Sequence, residues 1–181
     1  MHEFHFYEDD AGQIEVKPIA NWNYCERELA ALTRHDKDYA APDGVGWTKM
    51  YQFSDDDESL KDTLSLSDLK ITEARFIELL SPHGKRFKRL VSPLSEYDAE
   101  HGIRSIGFGP AERAGIIADM NGTLVASIWC MLQGCSQEDN VRFADMLTAL
   151  SQDHHLLLVD WVTQRLIDLR SRGSIESYLS S

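Results

Sequence analysis

Positive charge is scarce in this 181-residue chain: 18 Lys and Arg stand against 30 Asp and Glu, a formal net charge of -12. That balance excludes nucleic acid and anionic membrane as the main partner, because like charge repels a polyanion. Cysteine is scarce too. Cys25, Cys130 and Cys135 make an odd count at sparse spacing, which excludes a disulfide scaffold and predicts buried or half-buried thiols in a reducing cytoplasm. The Cys130/Cys135 interval matches neither a redox CxxC nor a zinc knuckle. The N-terminus lacks a cationic start followed by an apolar run, so no secretory signal is expected. No uncharged apolar stretch reaches the roughly 18 residues of a spanning helix. Residues 123–132 form the longest candidate and read as core. Linkers rich in Gly/Ser or Pro and low-complexity runs are missing as well, which predicts a single globular domain over 1–181.

What is present is ordinary globular composition, 43 % hydrophobic and 27 % charged, enough to build a core without disulfides or metals. Residues 2–7 and 13–17 alternate around an acidic turn and predict a β-hairpin stopped by Pro18. Asn21 or Asn23 is placed to cap a helix to about Arg34, with Cys25, Leu29 and Leu32 at helical spacing. Residues 35–46 read as loop and 47–53, rich in aromatics, as a strand. Thr72 caps a second helix whose apolar side is Ala74, Phe76, Ile77 and Leu80, ended at residues 81–84. Residues 85–91 read as one basic strand, 92–102 as polar with a helical turn, and 103–109 as another strand. Residues 114–131 admit either a hairpin around Asn121-Gly122 or a helix broken there; the hairpin is favoured. Ser136 caps a helix to about Gln152, with Val141, Ala144, Met146, Leu147 and Leu150 buried and Phe143 near the edge. The apolar run at 155–161 predicts a strand buried on both faces. Residues 162–165 turn, 166–169 return, and Ser174 caps a last short helix. Segments 6–16, 116–128 and 157–169 share one apolar–acid–turn–apolar shape, the common grammar of hairpins. The class is α+β: antiparallel hairpins with about four packed helices.

Catalytic and metal motifs are weak. Gly107-Phe108-Gly109-Pro110 lacks the third glycine and the amide of a dinucleotide loop, and reads as a plain loop. His154 and His155 would point to opposite faces if on a strand, as do His2 and His5, against a zinc site, and residues 153–155 read rather as a helix end, where histidine suits the dipole; no metal and no cofactor are expected. Cys130 or Cys135 with His83, His101 or His154 carries no nucleophile motif. Asp160 and Asp168 are candidates for a carboxylate pair or for solvated turn residues.

The strongest signal is acidic. Asp55, Asp56, Asp57 and Glu58, then Asp62, follow the aromatic residues Trp47, Tyr51 and Phe53. Consecutive like charges repel and require exposure. Such a stretch either keeps the chain soluble or forms the rim of a surface for a cationic partner, where charge speeds encounter and aromatics slow release. Calcium is the rival, but the EF-hand spacing and central glycine are missing.

In character the chain resembles the small acidic cytosolic immunity proteins of bacterial contact-dependent and type VI toxin systems. The residues behind this are the acid–aromatic segment and the closing stretch from His155 through Asp160-Trp161 and Ile167-Asp168-Leu169 to Tyr178-Leu179. The resemblance implies a cytoplasmic, non-catalytic protein that blocks a cognate, cationic toxin, such as a nuclease, through that acid–aromatic surface. A small enzyme with an unmarked site, and an adaptor or oligomerisation module, are the alternatives.

Overall fold

The computed structural model describes residues 3–6, 13–41, 48–53, 63–91 and 104–180. The described strands are β1 (Glu3–His5), β2 (Ile14–Pro18), β3 (Lys85–Arg86), β4 (Arg89–Val91), β5 (Arg104–Ala111), β6 (Ala114–Asn121), β7 (Leu124–Leu132), β8 (Leu156–Asp160) and β9 (Arg165–Asp168). The helices are α1 (Trp22–Tyr39), α2 (Glu73–Leu80), α3 (Gln137–Leu150) and α4 (Arg172–Leu179). The fold is α+β. Seven strands form one antiparallel sheet in the order β3-β5-β6-β7-β2-β8-β9, and β1 pairs in parallel with β4 in a separate ribbon.

Alternation along the strands splits the core between the two faces of the sheet. Val16, Ile116, Ala118, Ile128, Cys130, Leu156 and Leu158 face α2, α3 and α4 and pack with Phe76, Phe143, Leu147 and Ile175. On the other face, Leu157 and Val159 meet Cys25 and Leu29 of α1. Farther along that face, Ile117, Trp129 and Met131 meet Phe4 and Phe87 of the ribbon region. Leu156 to Val159 are wholly buried, each side chain contributing about 1.5–3 kcal/mol of apolar burial. β8 is therefore the strand covered on both faces that its unbroken apolar run predicts.

Local signals explain several boundaries. Thr72 accepts from the Arg75 N–H and starts α2. Ser136 and Asp139 form a reciprocal capping box at α3. The 114–131 ambiguity resolves as a hairpin. Asn121 pairs with Leu124, and Gly122 opens the two-residue turn at φ 62°, a conformation that suits glycine.

Other expectations are corrected. β1 does not pair with β2, so there is no N-terminal hairpin; β2 lies between β7 and β8 instead. The aromatic β1 is drawn away by Phe87 and Trp129. α1 runs to Tyr39, past the expected stop at Arg34. Asn21 stands at its N-cap but makes no side-chain capping bond, because its amide is used to clamp the backbone N–H and carbonyl of Leu64, both at 2.8 Å. Residues 48–53 are not a strand. The basic run divides into β3 and β4, in different sheets. Ala74 is exposed and Leu79 takes its place in α2; likewise Val141 is exposed and Phe143 buried in α3. The last helix is capped by Ser171, not Ser174. The helical turn expected within 92–102 lies outside the described residues.

Gly107, Gly109 and Pro110 belong to β5, not to a loop. The glycines serve one aromatic ring. A Cβ at Gly107, Gly109 or Gly115 would lie 3.0, 2.6 and 2.7 Å from the Phe87 ring. Phe87 thus lies directly over backbone, an approach open only where Cβ is missing. Pro110 falls where the β5–β6 register shifts, a place where a missing N–H is tolerated.

Candidate functional site

Of the predicted partner-binding residues, the described part of the chain contains Tyr51 and Phe53. Trp47, Asp55, Asp56, Asp57, Glu58 and Asp62 lie outside the described residues. The two aromatics are brought to a defined place. After α1, the N–H and hydroxyl of Thr48 both donate to the Tyr39 carbonyl, at 2.7 and 3.0 Å, turning the chain back along the helix. Tyr51 then donates its hydroxyl to Glu28 Oε2 at 2.9 Å. Burial first, and then the Glu28 carboxylate, push the Tyr51 phenol up to about 12, so it stays a donor at neutral pH.

A row of rings results. His35 lies 4.8 Å from Tyr39 and 5.4 Å from Tyr51 between centroids. Phe53 stands edge-on to Tyr51 at 5.2 Å and to Trp161 at 4.9 Å, spacings at which edge-to-face contact is favourable. The row ends in the β8–β9 turn. Trp161 donates its Nε1–H to Glu15 Oε2 at 2.7 Å, and Glu15 also pairs with Lys17 at 3.0 Å. Outward, Met50 is 79 % exposed, Phe53 44 % and Val162 63 %. Tyr51 is thus an anchor, and Phe53 is the ring that faces solvent.

The turn that presents Trp161 is rigidly held. Asp160 is 3 % exposed. Its Oδ1 accepts from the N–H groups of Val162 and Thr163 at 3.0 and 2.8 Å, and its Oδ2 from the Tyr178 hydroxyl at 2.7 Å. Gln164, at φ 56°, accepts from the Thr33 hydroxyl and donates to Asp36, both on α1. Asp160 is therefore neither solvated nor paired with Asp168. In the β8–β9 register Asp168 lies opposite Leu157, on the α1 side, while Asp160 shares the face of Leu156 and Leu158. Asp168 has its own partners: His155 Nε2 at 2.8 Å and the Arg170 N–H at 2.8 Å. The separation follows from the β8–β9 register, which sets Asp160 opposite Arg165 and Leu157 opposite Asp168.

Behind the turn an open cleft of about 400 Å³ is lined by Cys135, Asn140, Asp160, Thr163, Arg165 and Tyr178 among others. Its groups are committed. Burial, then Asp139, push the Cys135 thiol up, away from a reactive thiolate. Burial and Asp160 push the Tyr178 phenol up, and Arg165 lies over its ring at 5.0 Å. Cys25, pushed up to about 11 chiefly by burial, and the wholly buried Cys130 are packing thiols. Among the described residues, no group of three His, Cys, Asp or Glu side chains is placed to hold a metal. No described helix is long and apolar enough to cross a membrane.

The chain is thus an α+β protein with a surface aromatic row mounted on α1 and the β8–β9 turn. Comparison with protein-family models, curated proteins and solved structures finds no match of any kind.

Proposed function

We propose that this is an acidic, non-catalytic binding protein that neutralises a cationic protein partner by covering its working surface. The partner we propose is a bacterial toxin, a nuclease above all, which makes this chain the cognate immunity protein. The observation that carries the reading is Phe53: a partly exposed ring braced by Tyr51 and Trp161, followed two residues later in sequence by Asp55-Asp56-Asp57-Glu58. A fixed aromatic anchor beside concentrated negative charge combines slow release with steered encounter. An acid-rich segment also imitates the phosphates that a nuclease surface is built to hold.

The test is co-expression with the product of the gene next door, followed by titration of the purified pair. Protection and a stoichiometric complex are expected, with affinity falling as salt rises. Phe53→Ala and Asp55→Lys/Asp57→Lys should each weaken the complex, the former by about tenfold or more. An operon of metabolic enzymes, or full protection by both variants, would remove this reading.

A further inference from the structure

The sign of the charge reverses at one edge of the sheet. Lys85, Arg86, Lys88 and Arg89 lie on β3, on β4 and between them, and Arg104 opens β5. Among the described residues, few carboxylates answer them. Glu73 of α2 pairs with Arg104 and lies 3.8 Å from Arg86; Glu3 lies 3.6 Å from Arg89. Asp119, one strand inward, has its oxygens occupied by the Ser105 and Ser127 hydroxyls at 2.6 Å. Lys85 and Lys88 are exposed and form no ion pair with the described residues.

These side chains border an open groove of about 530 Å³ between β4 and β5, lined by Arg86, Lys88 and Arg89 together with the half-buried Leu90 and the more deeply buried Phe87. β3 ends the seven-stranded sheet and is two residues long. Its pairing, with the Phe87 N–H donating to the Gly107 carbonyl, covers β5 only as far as Gly107.

We propose that this groove binds an acidic, extended segment of a protein partner, its carboxylates against Lys88, Arg86 and Arg89 and an apolar side chain over Leu90. Charge complementarity selects the occupant. Guanidinium forks match carboxylates, a net charge of -12 repels a long nucleic acid, and a compact phosphate would leave Leu90 unused. A sheet edge further suits an extended chain. The site does not depend on the acid–aromatic surface. Edge lysines also deter sheet-to-sheet pairing; that role requires charge alone and predicts no ligand.

The experiment uses the full chain, a fluorescein-labelled peptide of alternating glutamate and leucine, and tripolyphosphate as a second probe. Anisotropy should show saturable peptide binding, weakened about tenfold by a tenfold rise in salt. Lys88→Glu/Arg89→Glu should abolish it, whereas Arg170→Glu, an exposed site elsewhere, should not. Lys88→Ala, which removes only an exposed charge that forms no ion pair with the described residues, keeps the test valid if the double variant fails to fold, and should weaken binding severalfold. No peptide binding at about 1 mM, or equal binding by wild type and Lys88→Ala, would overturn the proposal. Tripolyphosphate binding without peptide binding would overturn it in favour of a phosphate site.

Discussion

Replacing Tyr178 by Phe should destabilise the protein by about 2 kcal/mol, because it strips one donor from a buried carboxylate. Asp160 is 3 % exposed and accepts three hydrogen bonds, from the Tyr178 hydroxyl at 2.7 Å and from the Val162 and Thr163 amides. Phe retains the ring, its burial, and the Arg165 contact above it, so the loss is confined to the hydroxyl. Hydrogen bonds to charged groups are worth about 1.5–3 kcal/mol. For a chain of this size 2 kcal/mol corresponds to a fall of about 4–8 °C in Tm. Differential scanning calorimetry and urea denaturation measure it directly. Alkaline titration supplies an internal check. The Tyr178 phenol is held above its ordinary value by burial and by Asp160. The folded state therefore keeps a proton that the unfolded chain releases near its ordinary pKa of about 10. The stabilisation is fully present below about pH 10 and is lost as pH rises toward the folded value. The variant lacks this group, so its stability should fall less steeply above pH 10. An unchanged Tm, or identical alkaline slopes, would refute the account of Asp160 as the clamp of the β8–β9 turn.

Gly109→Ala should prevent folding or cost more than about 3 kcal/mol, since its Cβ would sit 2.0 Å from the Ala114 carbonyl oxygen and 2.6 Å from Phe87. Gly122→Ala meets nothing within 4 Å and should cost only the about 1–2 kcal/mol of a left-handed backbone; chemical denaturation of the pair separates collision from conformation. Thiol labelling of the native protein at pH 8 should find Cys135 first and slowly, with Cys25 and Cys130 protected until unfolding; rapid labelling of Cys130 would contradict its burial. Phe53→Ala should leave the unfolding free energy within about 1 kcal/mol of wild type by urea denaturation, because the ring is half exposed, so that any loss of partner binding reports on the surface alone.

Strongly periodic or locally capped segments were legible without coordinates. The run at β8, the caps at Thr72 and Ser136 and the Asn121-Gly122 turn each depend on residues within a few positions of one another. Local signals fail where a distant partner competes. Asn21 has cap chemistry, yet Leu64 takes its amide. Residues 2–17 have hairpin grammar, yet the aromatic face of β1 gains more against Phe87 and Trp129. The aromatic segment at 48–53 has strand composition, yet its rings pack on α1 and Trp161 rather than in a sheet. Helical spacing alone also misassigned Val141 and Phe143, because both lie near the boundary of the apolar stripe and only the packed sheet decides which is covered.

Scarce positive charge, scarce cysteine and the α+β class follow from the sequence by itself, as does the concentration of acid after Phe53. Composition and periodicity are local or additive properties, so no fold is needed to read them. Tertiary structure alone decided which rings stand in a row, that Asp160 is a buried clamp while Asp168 faces the opposite side, and that three glycines make room for Phe87. Each depends on strands far apart in sequence becoming neighbours, and the energy of such contacts belongs to the pair rather than to either residue. The same pairing splits the basic run between two sheets and leaves its cations around an open groove at the sheet edge.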